Sequence, residues 1–123
     1  MEDFVLNWNQ RKILKNASFL KDYGVYLAGG TALALHFSHR TSQDLDFYTP
    51  RHFNPRAVYK KFKETFKKEK ISKPTIAENT LKFKLNITDL SFFRYPYFLI
   101  RPLISYESIN LASPEDIIAM KIY

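Results

Sequence analysis

Apolar residues along this chain switch between a helical and a strand period, and the switches mark its elements. Leu6, Ile13, Ala17 and Leu20 share one helical face, which predicts a first helix over residues 7 to 22, closed near Gly24. VYLA at 25 to 28 is a short, fully apolar strand. TALALHFSH at 31 to 39 is rich in strong helix formers and free of breakers, so it reads as a helix. DLDFYT at 44 to 49 alternates as a strand does, and Pro50 stops it. Asn54 and Pro55 supply a cap and a first position for a helix over 55 to 69, where Val58, Phe62 and Phe66 repeat every four residues as a buried stripe. TLKFKLN places Leu81, Phe83 and Leu85 on one side, whereas DLSFF puts Leu90 and Phe92 in the opposite parity. A turn within Asn86 to Thr88 absorbs that switch and joins two antiparallel strands. The prolines of YPYFLIRPL exclude a regular central strand there. Ser113, Pro114, Glu115 and Asp116 combine a cap, a first-position proline and a capping-box acid, so a last helix starts at that point. A helix announced so clearly and ending by Tyr123 suggests part of a longer chain. The elements together predict an α/β (α+β) fold: a small mixed sheet from 25 to 28, 44 to 49 and the 81 to 93 hairpin, flanked by helices.

Composition narrows this picture. The 123 residues, 46% hydrophobic and 16% aromatic, suffice for one core, so residues 1 to 123 are expected to form a single domain. No apolar run reaches 18 residues and the N-terminus lacks a secretory pattern, so a cytoplasmic protein with no membrane partner is expected. The absence of cysteine removes disulfides, thiolate metal sites and cysteine nucleophiles. The net charge of +7 is regional: residues 51 to 84 hold 11 of the 19 Lys and Arg against Glu64, Glu69 and Glu78, and the rest of the chain sums to −1. That run is either the solvated face of the 55 to 69 helix or an electrostatic footprint for a polyanion such as RNA.

Two of the three glycines, Gly29 and Gly30, end the first strand and open a helix. Such a turn leaves unpaired backbone N–H groups, and without β-carbons a phosphate can approach them closely. As a bare dipeptide it is equally consistent with a tight turn. Thr31 can give its hydroxyl to a ligand or to its own helix. In a strand, Asp44 and Asp46 point to the same side, about 6.5 to 7 Å apart, with Leu45 and Phe47 facing the core. Two hard carboxylates so placed can hold Mg²⁺ or Mn²⁺, alone or with a nucleotide's phosphates. The plainer alternative is a pair of surface aspartates on an edge strand, although like charges on one strand face repel unless a cation offsets them.

The ordered set LAGGTALALHFSHRTSQDLDFYT, SFFRYPY (91 to 97) and LASPEDIIAMKIY (111 to 123) resembles the AbiEii/AbiGii toxin-type nucleotidyltransferase family over most of residues 25 to 123. The resemblance implies a nucleotidyltransferase-like domain that transfers an NMP group from an NTP to a hydroxyl of RNA or protein, as the toxin of a toxin-antitoxin pair with an antitoxin partner. Carried over by motif, Gly29, Gly30 and Thr31 bind the nucleotide, and Asp44 and Asp46 bind the metal and are catalytic. Arg40 and Ser42 are candidate phosphate contacts, as a planar guanidinium suits phosphate oxygens, while His39 and Arg40 also suit the negative end of a helix. Lys121 matches a family lysine on the last helix. A third carboxylate is expected on a neighbouring strand, where this chain has Ser91; Asp89, two residues earlier and of the same parity, either replaces it as a catalytic group or sits in the hairpin turn. The family's C-terminal helical part is missing from the sequence. Two other classes fit: a catalytically silent nucleotide-binding module, and an RNA-binding domain using the basic helix.

Overall fold

The computed structural model describes residues 6–37 and 44–122, with side chains through Met120. Helix α1 (Trp8–Asn16) is followed by a 3-10 helix (Ser18–Tyr23), strand β1 (Tyr26–Ala28), α2 (Gly29–Phe37), β2 (Leu45–Thr49) and α3 (Pro55–Thr65). A meander β3 (Thr75–Ala77), β4 (Thr80–Leu85) and β5 (Thr88–Arg94) comes next, then a short hairpin β6 (Ile104–Tyr106) and β7 (Ile109–Leu111), and finally α4 (Pro114–Ile122).

The first helix is two helices rather than one. Its continuation past Ala17 would need the Leu14 carbonyl for Ser18, but Ser108 takes that carbonyl through its hydroxyl at 2.5 Å and its amide at 3.3 Å. The chain therefore tightens, and Gly24 at φ 68 closes the 3-10 turn by donating to Leu20 and Lys21. Helix α3 starts as expected, with the Asn54 side chain accepting from Arg56 and Ala57, but ends at Thr65 instead of residue 69. Past Phe66 the chain turns so that Ile71 can bridge Leu85 beside β4. The last helix begins at Pro114, where the Ser113 hydroxyl accepts from the Asp116 amide.

The seven strands of the described residues form one mixed sheet in the order β3-β4-β5-β2-β1-β7-β6. The β1–β7 and β2–β5 pairs are parallel and the others antiparallel. The 44 to 49 strand and the 81 to 93 hairpin are present, with a turn at Asn86 (φ 56) and Ile87. Strands β3, β6 and β7 were not expected from the sequence, since three residues are too few to show a period.

Parity sorts the central strands into two faces. Leu45, Phe47, Leu81, Phe83, Leu85, Leu90 and Phe92 are buried on one. There Phe47 stacks on Phe92 at 4.8 Å, and Phe62 of α3 meets Phe83 at 5.1 Å and Phe92 at 5.5 Å. Aromatic pairs at these separations add to the area they bury. The opposite parity carries Asp46 and Tyr48 on β2, Asp89, Ser91 and Phe93 on β5, and Lys82 and Lys84 on β4, none of them fully buried. Helix α3 thus clads the apolar face and leaves the polar face of β2, β5 and β4 uncovered by it.

Candidate active site

The glycine turn and the acidic strand meet. Gly29 has φ 69, a left-handed conformation that disfavours any residue with a β-carbon. A β-carbon there would lie 2.5 Å from Asp46 Oδ2 and 3.0 Å from its Cβ. The carboxylate therefore rests against the backbone of the turn, at the point where α2 begins. Gly30 differs in this respect: it is exposed, and nothing lies within 4 Å of the place its β-carbon would occupy.

Asp46 is held from the side as well. Ser91 Oγ donates to Asp46 Oδ1 at 2.7 Å, an interaction set by the parallel register that aligns the two residues. The position where the family resemblance leads one to expect a third carboxylate thus holds a hydroxyl that orients an aspartate. Thr31 is 1% exposed, and its hydroxyl donates to the Asp44 carbonyl at 2.5 Å. Buried Gln10 of α1 approaches the same carbonyl at 3.4 Å. Thr31 consequently ties the start of α2 to the residue that precedes β2.

Asp44, Asp46 and Asp89 line one cleft of about 620 Å³, shared with Ser91, Phe93 and the β3–β4 edge. Burial raises the Asp44 carboxyl above its ordinary pKa, and the negative charges of Asp89 and Asp46 raise it further, against an opposing pull from Lys84. Asp89 is exposed and lies 4.0 Å from Lys84. Among the described residues no three His, Cys, Asp or Glu side chains cluster closely enough to hold a metal ion by themselves. The donor set nevertheless suits a hard divalent cation: two carboxylates crowd one place at an electrostatic cost, and Mg²⁺ ordinarily takes one or two protein carboxylates and completes its shell with water and phosphate oxygens.

Register extends this into a row running straight across the sheet. Ala28 pairs with Asp46, Asp46 with Ser91, Ser91 with Lys82, and Lys82 with Thr75. A neighbouring row, Tyr26, Tyr48, Phe93 and Thr80, is largely aromatic, with Tyr48 and Phe93 rings 6.1 Å apart. Burial, with the Asp46 charge next and then Tyr95, raises the Tyr48 phenol above its usual pKa. The Lys82 ammonium lies 5.3 Å over the Phe93 ring. Sequence reading singled out Ser91 only as the occupant of the third-carboxylate position and did not place Lys82 and Lys84 in the cleft, although their parity, opposite to Leu81, Phe83 and Leu85, marks them for the same face as Ser91.

Arg40 and Ser42 lie outside the described residues, as does the side chain of Lys121 on α4, a helix that packs against α2. His36 is bound to the Ala112 carbonyl at 2.8 Å, which fixes α2 to the approach of α4. Among the described residues no helix is long and apolar enough to cross a membrane.

A strand, a glycine turn and a helix, with one aspartate just before the next strand and another on it, in a mixed sheet flanked by helices, make up a nucleotidyltransferase-type fold. Two solved structures from Helicobacter pylori share that fold. One, described as a candidate nucleotidyltransferase, has a TM-score of 0.68 at 21% identity, covering 99% of this chain and 59% of its own. The other, JHP933, has a TM-score of 0.67 at 21% identity, covering 99% and 57%. Residues 12–123 match the family described as nucleotidyl transferase AbiEii toxin, type IV toxin-antitoxin system, and the chain belongs to that family. The uncharacterized protein aq_aa25 of Aquifex aeolicus (strain VF5) is 34% identical over 105 residues, 78% of this chain and 47% of the relative. The chain therefore spans about half the length of that curated relative.

Proposed function

We propose that this chain carries the nucleotidyl-transfer site of a metal-dependent toxin, moving an NMP group from an NTP to a hydroxyl acceptor. The observation that supports it most directly is the contact of the Gly29 turn with the Asp46 carboxylate in a member of this family. The amides of Gly29 and Gly30 at the start of α2 take the triphosphate, and the positive end of the helix favours its charge. Asp44 and Asp46 hold a divalent cation, Mg²⁺ or Mn²⁺. When bound, it neutralises charge on the phosphates as the leaving group departs. Ser91 keeps Asp46 pointed at the turn. The acceptor oxygen bonds to the α-phosphorus, the bond to the bridging oxygen breaks, and pyrophosphate leaves; the hydroxyl proton passes to Asp89 as general base. Arg40, Ser42 and Lys121 stand as additional nucleotide contacts by family resemblance, and an antitoxin protein is the expected partner.

The test is transfer of label from each α-labelled NTP in the presence of Mg²⁺. Asp44→Asn and Asp46→Asn are each expected to lower it at least 100-fold, and activity that survives both changes refutes the assignment. A second reading, nucleotide binding without transfer, is favoured by the lack of a third acidic group within metal reach among the described residues. NTP binding with no pyrophosphate release would establish it.

A further inference from the structure

Two adjacent amides of α1, Asn9 and Gln10, are 5% and 0% exposed, and both are spent on the backbone beneath the carboxylates. Successive helical residues point about 100° apart, so the two side chains reach different parts of the sheet. Gln10 Oε1 accepts from the Asn7 amide at 3.0 Å in the capping box, which turns its Nε2 toward the Asp44 carbonyl, 3.4 Å away. Thr31 of α2 donates to the same carbonyl, so the peptide leading from Asp44 into β2 is gripped by two helices. Asn9 Nδ2 donates to the Leu85 carbonyl at 2.8 Å and to the Thr88 hydroxyl at 2.7 Å, the two residues that pair at the end of the β4–β5 hairpin. Asp89 follows Thr88 directly.

The strand ladder does not fix these two places by itself. Strands β2 and β5 first pair at Leu45 and Leu90, so Asp44 and Asp89 each lie one residue before that pair, and Asp44 precedes its strand. At this end the two segments are tied through the first turn of α1. Apolar side chains could dock the helix there too, but directed hydrogen bonds fix a position that packing alone lets slide. Catalytic geometry is sensitive to displacements of about 1 Å. We infer that Asn9 and Gln10 are positioning residues for the reaction: they set the separation of Asp44 and Asp89, through the Asp44 carbonyl on one side and the Thr88 end of the hairpin on the other. This rests on the proposed roles of Asp44 as metal ligand and Asp89 as base. Neither amide lines the cleft, and each acts through the backbone that carries a carboxylate.

The experiment makes two measurements on the full chain: binding of Mn²⁺ alone, read from the electron paramagnetic resonance of the free ion, and transfer of label from an α-labelled NTP. Gln10→Met matches the side chain in size but removes the donor to Asp44, and Gln10→Glu keeps the acceptor for Asn7 while removing that donor. Both should weaken Mn²⁺ binding about tenfold, as loss of a group that orients a metal ligand does. Asn9→Asp keeps the shape and loses the donor, and Thr88→Val removes the hydroxyl that Asn9 holds. Both should lower kcat about tenfold, with Mn²⁺ binding and the KM for NTP within about twofold of the parent. Ser108→Ala releases the far end of α1 and should leave both readings, taken per folded molecule, like the parent's. A merely structural role would move the neighbouring Asn9 and Gln10 variants alike. Parent-like Mn²⁺ binding in both Gln10 variants overturns the inference, and so does parent-like kcat in both Asn9→Asp and Thr88→Val, a loss that Ser108→Ala shares equally, or a parent that binds no Mn²⁺. A parent that binds Mn²⁺ but transfers nothing refutes the assigned chemistry alone, and the Gln10 variants then decide the positioning role.

Discussion

At the scale of single residues, the two glycines are not equivalent. Gly29 sits at φ 69 against Asp46, so Gly29→Ala both strains the backbone and pushes the carboxylate. A loss of about 1 to 3 kcal/mol in stability is expected on thermal or denaturant unfolding, together with loss of transfer. Gly30→Ala meets open space and should leave the unfolding midpoint unchanged. Thr31→Val removes a buried hydrogen bond to the Asp44 carbonyl and should cost about 1 to 2 kcal/mol, with Thr31→Ser restoring it. Should Thr31 act by placing Asp44, the valine variant raises the Mg²⁺ concentration needed for half-maximal rate more than the KM for NTP. The raised pKa of Asp44 gives a pH prediction with a definite sign. Its folded pKa exceeds its unfolded one, so the native state binds the proton more tightly, and stability falls as pH rises through the carboxylate range into the raised native pKa. Metal-free Asp44→Asn should show a shallower decline there, read from denaturant midpoints followed upward in pH from the ordinary carboxylate range. The glycine pair and the aspartate pair were both visible in the sequence because each is a chemical pattern. The Ser91 contact was not, because it depends on which strand lies beside β2, and β5 arrives there from 45 residues away.

Elements show where local signals fail. The Asn54 and Ser113 caps act within four residues, and both were read correctly at the helix starts. The break after α1 and the early end of α3 arise from distant partners: Ser108 claims a carbonyl of α1, and β4 draws in the residues after α3. A buried polar network makes the same point. Asn9 of α1 donates to the Leu85 carbonyl at 2.8 Å and to Thr88 at 2.7 Å, and accepts from Asn86 at 3.0 Å. It docks the first helix on the β4–β5 turn. Asn9→Ala leaves those groups buried without partners and should cost about 2 to 4 kcal/mol in denaturant unfolding. Nothing in the pattern around Asn9 announces this, since an isolated Asn in an amphipathic helix reads as surface.

For the molecule as a whole, one sheet divides two tasks. Its apolar face makes the core with α3, and its polar face gathers the carboxylates, the hydroxyls and the lysines. The α+β class and the central strands were legible from alternation, whereas the complete strand order was not, because three strands of three residues have no readable period and β7 enters beside β1 from the far end of the chain. The face-to-face arrangement predicts that charge reversal on α3 leaves label transfer within about twofold of the parent. It also bears on how such a site can change. Because side chains on β5 alternate between interior and cleft, an acidic group can face the cleft only at positions of one parity, those of Asp89, Ser91 and Phe93. Deleting Ser91 would instead shift Phe92 to the cleft side and Phe93 into the packed interior, and turn every later side chain of the strand over. Substitutions two positions apart on β5 thus keep a side chain on the cleft, while a change of length within the strand exchanges its two faces.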